Sequence, residues 1–111
     1  AEHLAAANAQ IVLPAAYAHN THIWNQFTLR VLNGKRDALR QHLAAAGIGC
    51  DIYYPVTLDQ QQCFQHLPAA SLAGCAVSHR LAGEVLSTPI YPELTTAQKD
   101  EVIAALQTFL S

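Results

Sequence analysis

The sequence predicts an α+β fold, a small and mostly antiparallel sheet covered by helices. Phe27, Leu29 and Val31 alternate with Gln26, Thr28 and Arg30, which is the two-residue period of a half-buried strand. Segments starting near Arg36 and at Thr95 instead place apolar residues at helical spacing. The order helix tail, strand, strand, helix, strand, helices then stacks a small sheet against a helical layer.

Taken in order, Ala1 to Ala9 reads as the tail of a helix begun upstream, so the chain is expected to be a fragment. Ile11-Val12-Leu13, stopped by Pro14, is a short strand or extended lead-in, and Ala15 to Thr21 is a loop. The alternating strand runs from Ile23 to Leu32 and closes at the turn signal Asn33-Gly34. Arg36 to Ala46 is a helix with Leu39, Leu43 and Ala46 on its stripe and Gly47 just past its end. Cys50 to Tyr54 is a strand with Cys50, Ile52 and Tyr54 on one side and Asp51 and Tyr53 on the other. Pro55 ends it, having no N–H to give a ladder. Gln60 to Phe64 is a helical turn, and a longer helix runs from Cys75 or Ala76 to Leu86 on a stripe of Val77, Leu81 and Val85. Pro89 and Pro92 bracket a brief extended piece. Thr95 caps the last helix with Gln98 at the capping-box position, and Val102, Leu106 and Phe109 form its buried face.

The 111 residues are enough for one domain with one modest core. A net charge of -2 gives no reason to expect nucleic acid or an anionic membrane as partner. No apolar run reaches the length of a membrane span, and the start lacks the basic and apolar regions of a signal peptide. Cys50, Cys63 and Cys75 make an odd set without paired short spacing, as expected of free thiols in a reducing cytoplasm. His19 with His22, Cys63 with His66, and Cys75 with His79 are close in sequence but sit on separate elements. Zinc needs three or four convergent ligands, so no metal site is expected.

Five segments carry a resemblance. They are His22 to Val31, Lys35-Arg36-Asp37-Ala38-Leu39, Ala46-Gly47-Ile48-Gly49, Asp51 to Leu58, and Leu86-Ser87-Thr88-Pro89-Ile90-Tyr91-Pro92-Glu93-Leu94-Thr95. In this order and spacing they resemble the C-terminal domain of the DegT/DnrJ/EryC1/StrS aminotransferases, pyridoxal-phosphate (PLP) enzymes that aminate nucleotide-linked keto sugars. The resemblance implies the small domain of a fold-type I PLP-dependent transferase whose intact parent is α/β and homodimeric. It implies glutamate or a similar amino acid as donor, a cytoplasmic enzyme, and PLP bound by an N-terminal domain absent from this chain. All of residues 1–111 are then one C-terminal domain, inactive by itself, with no catalytic and no cofactor-binding residue. Its two lysines, Lys35 at a helix start and Lys99 in a first helical turn, lack the apolar surroundings that would lower an amine pKa for a Schiff base.

Two departures from the family pattern stand out. The family usually reads Tyr-Pro-x-Pro-Leu-His, and here Thr57 replaces the second proline and Asp59 the histidine, which in the family lies near the substrate pocket. Before the later helix the family commonly shows an acidic residue followed by arginine, where this chain has His79-Arg80. The substrate-binding candidates are Tyr53, Tyr54, Asp59 and Arg30. Strand aromatics often simply pack, and the resemblance favours a pocket role for Tyr53. Arg30 suits either an anion held in its guanidinium fork or a surface salt bridge. Asp59 suits either sugar hydroxyls or the cap of the following turn. A second class of function also fits a small α+β domain, namely a stand-alone small-molecule-sensing or dimerisation module without catalysis. The coding sequence upstream of Ala1 separates the two.

Overall fold

The computed structural model describes residues 10–68 and 74–111, so the expected helix tail at Ala1 to Ala9 lies outside the described residues. Three antiparallel strands form the sheet: β1 (Ile11–Val12), β2 (Phe27–Val31) and β3 (Val85–Thr88), with β2 central. Three helices accompany them: α1 (Arg36–Ala45), α2 (Ala76–Glu84) and α3 (Thr96–Leu110). Two 3-10 turns, Leu58–Gln60 and Gln62–Phe64, lie between α1 and α2. The expected α+β class is the observed one.

The alternation of β2 decides which face is which. Leu29 and Val31 are fully buried and meet Leu39 and Leu43 of α1, Leu86 of β3 and Leu106 of α3 in one core. On the opposite face Thr28 pairs with Ser87 in register, and their hydroxyl oxygens are 2.8 Å apart. The helix ends behave as the sequence dictates. Gly47 (φ +74°) follows α1, and Ile48 N–H donates to Leu43 O while Gly47 N–H donates to Ala44 O. These two bonds make a Schellman motif, which needs the left-handed conformation glycine adopts at little cost. Thr95 and Gln98 cap α3 reciprocally, as expected.

Five expectations are corrected. The strand expected over Ile23 to Leu32 begins only at Phe27, because Trp24 takes φ +48° and Ile23 lies 86% exposed. The strand expected over Cys50 to Tyr54 shrinks to one bridge, Asp51 to Ser87. Asp51 Oδ1 accepts the Ile52 N–H at 2.8 Å, diverting a donor from any ladder, and Pro55 prevents further pairing. The helix expected to reach Leu86 stops at Glu84, and Val85 to Thr88 become β3. β-Branched Val85 and Thr88 favour the pleated chain, and Leu86 lies in the core beside Leu29. Val77 is accordingly exposed, not part of a core stripe, and Ala46 is exposed as well.

Candidate functional site

The segment after Asp51 leaves the sheet edge through bends at Tyr53, Pro55 and Val56. Tyr53 lines one cleft, about 570 Å³, with Asp51, Ser87, Thr88 and Tyr91. Tyr54 lines another, about 550 Å³, with Leu58, Asp59, Phe64 and Leu67. Both rings are largely open to solvent, at 51% and 74% exposure, so Tyr54 does not follow Ile52 into the core. Tyr53 and Tyr54 are consecutive in the chain yet line different clefts.

Asp59 sits within the first 3-10 turn with its side chain only 12% exposed. It does not cap that turn; Thr57 holds the cap position and no side chain completes it. The carboxylate instead takes a short hydrogen bond at Oδ2 from His79 Nε2, twenty residues further on in α2. Since a carboxylate only accepts, the ring hydrogen must lie on Nε2. Thr57 Oγ1 is buried without a hydrogen bond of regular geometry, so its influence on Asp59 is that of a nearby hydroxyl dipole. That hydroxyl first, and then His79, hold the Asp59 carboxyl below its usual range, against a smaller opposing effect of burial. Beneath the turn, Gln65 Nε2 donates to Asp59 O at 3.3 Å.

Arg30 lines neither cleft. Its Nε and Nη2 both donate to Glu84 Oε2, at 2.9 and 2.8 Å, and Arg80 approaches the other oxygen at 4.0 Å. The guanidinium fork is therefore engaged by a carboxylate at the end of α2. The structure brings Tyr54 and Asp59 together, sets Tyr53 in a separate cleft, and leaves Arg30 on the sheet face as an anchor. Sequence reasoning missed His79 and Thr57 as parts of the site. No local spacing links His79 to Asp59, twenty residues earlier, so the contact left no signal in the sequence.

The described residues do not fit PLP. Lys35 Nζ donates to Gln10 Oε1 at 2.6 Å on the surface, and Lys99 lies exposed in the first turn of α3, so neither amine has a shielded setting. Among the described residues no three His, Cys, Asp or Glu side chains group as metal ligands. Cys50, Cys63 and Cys75 are free thiols, and burial pushes the Cys50 thiol up, away from nucleophilic use. Among the described residues no helix is long and apolar enough to cross a membrane.

Residues 1–107 match the model of the DegT/DnrJ/EryC1/StrS aminotransferase family, and the chain belongs to that family. It is 39% identical, over 99% of its length, to UDP-N-acetyl-3-dehydro-alpha-D-glucosamine 3-aminotransferase of Acidithiobacillus ferrooxidans, of which it spans 27%. It is 38% identical, over 87% of its length, to the erythromycin biosynthesis sensory transduction protein EryC1 of Saccharopolyspora erythraea, of which it spans 26%. A DegT/DnrJ/EryC1/StrS aminotransferase from Brucella abortus superposes with a TM-score of 0.82 at 30% identity, over 99% of this chain and 29% of that one. DesV of S. venezuelae, solved in complex with a ketimine intermediate, superposes with a TM-score of 0.81 at 32% identity and the same coverage. The chain thus spans about a quarter of the length of the curated relatives it matches.

Proposed function

We propose that this chain is the C-terminal, substrate-facing part of a PLP-dependent aminotransferase that aminates a nucleotide-linked keto sugar. The amine would come from an amino acid such as glutamate. The observation that carries the reading is the cleft of Tyr54, Leu58, Asp59 and Phe64 in a chain similar along 99% of its length to a keto-sugar aminotransferase. Such a cleft suits a sugar, because aromatic and aliphatic walls cover its C–H faces while a carboxylate accepts from its hydroxyls. A carboxylate repels a diphosphate, so the Asp59 side of the cleft is assigned to the sugar and not to the nucleotide's phosphates.

PLP, its lysine and its phosphate donors would come from an N-terminal domain outside these residues, in a cytoplasmic homodimer. When bound there, PLP supplies the electron sink that amine exchange requires. This chain's own contribution is to bind and orient the sugar. A stand-alone sensing or dimerisation module remains the second reading, favoured by a relative named for sensory transduction.

The test is amine transfer by the intact protein. Supplied with PLP, 15N-glutamate and a panel of nucleotide-linked keto sugars, it should release a 15N-labelled amino sugar detectable by mass spectrometry. Transfer to none of them, with the protein folded and loaded with PLP, would favour the non-catalytic module.

A further inference from the structure

The fold brings Asp59, which lines the cleft of Tyr54, into contact with His79 from a separate element. Resting on the functional reading above, we infer that His79 is a positioning residue for the sugar: it holds the Asp59 carboxylate in the orientation that a sugar hydroxyl meets.

The geometry supports a rigid arm from the sheet to the cleft. α2 is tied down near its C-terminal end by two arginines from different elements. Arg30 of β2 donates twice to Glu84, and Arg36 Nη1 of α1 donates to Ala82 O at 2.9 Å. His79 lies on the same helix, its backbone N–H donating to Cys75 O at 2.9 Å, so its Cα is fixed relative to the sheet. The segment carrying Asp59 has no comparable framework of its own. It is built from two 3-10 turns without side-chain caps, and Leu58 is 70% exposed. A short turn with few buried residues has many accessible orientations, and a charge-assisted hydrogen bond from a fixed helix selects one. With Oδ2 engaged by His79, Oδ1 is the remaining acceptor, and a carboxylate polarised in this way stays ionised and accepting.

The experiment uses the intact enzyme and varies His79 while leaving Asp59 in place. His79→Leu removes the donor, His79→Gln keeps an N–H donor, and His79→Glu opposes Asp59 with a like charge. His79→Leu should raise KM for the nucleotide-linked sugar roughly five- to tenfold with kcat and the glutamate half-reaction little changed, the size usual for a coupled pair. His79→Gln should recover to within about threefold of wild type, and His79→Glu should be the most impaired. In an Asp59→Asn background His79→Leu should add almost nothing. An unchanged KM in His79→Leu overturns the inference, as does a penalty of equal size with and without the Asp59 carboxylate. Wild-type protein that turns over no nucleotide-linked sugar overturns the functional reading itself, an outcome separable from any behaviour of the variants.

Discussion

At the scale of single residues, Asp59 concentrates the chemistry. Its carboxyl is held below the usual range by the Thr57 hydroxyl and the His79 ring, which favour the ionised form. For such a group the sign is fixed. The stabilisation is fully present above the unfolded value of 3.8 and is lost as pH falls through the lower folded value. Asp59→Asn should therefore lower the thermal midpoint near neutral pH, and the gap to wild type should close as the pH is taken below the ordinary carboxylate range. A gap that is constant with pH would contradict the ionised pairing. In kinetics, Asp59→Asn and Asp59→Ala should each lower kcat/KM for the keto sugar roughly ten- to hundredfold, the cost of losing a charge-assisted hydrogen bond. The glutamate half-reaction, followed separately, should hardly change. Full sugar turnover in both variants, with only a lower melting temperature, would make Asp59 a purely structural residue.

At the scale of elements, stability and legibility diverge. Gly47 sits at φ +74° with nothing within 4 Å of the space a Cβ would occupy. Gly47→Ala should therefore cost about 1 kcal/mol from backbone strain alone. Leu86→Ala, by contrast, empties a fully buried position between Leu29 and the helices and should cost about 2–5 kcal/mol. Comparison of thermal or denaturant midpoints in the intact protein checks both, and a larger loss for Gly47→Ala than for Leu86→Ala would contradict the core as described. The elements with strong local signals were legible in the sequence. Thr95 with Gln98 announced α3, the Leu39–Leu43 stripe with Gly47 announced α1, and the alternation of Phe27, Leu29 and Val31 announced β2. β3 was not legible, because Val85-Leu86 continues a helical stripe as readily as it begins a strand. Only the pairing of Arg30 with Val85 and Thr28 with Ser87 decides it, and that is a tertiary fact. The site was half legible for the same reason. Tyr53, Tyr54 and Asp59 lie in one motif, whereas His79 reaches Asp59 only after α2 has docked on β2.

At the scale of the whole molecule, the proposed function has the chain divide labour with the rest of its protein. Its core of Ile11, Leu29, Val31, Leu39, Leu43, Leu86 and Leu106 gives the described residues a framework, and the exposed aromatic segment is displayed at one edge of it. The clefts there offer aromatic faces and a carboxylate, the groups that bind a sugar, and neither lysine has the shielding that would hold PLP. In the proposed enzyme this chain handles substrate while the cofactor is attached elsewhere. Borohydride reduction of the intact, PLP-loaded protein, followed by peptide mapping, tests this most directly. The expected result is one stoichiometric pyridoxyl-lysine, located outside these 111 residues. A stoichiometric adduct on Lys35 or Lys99 would contradict it.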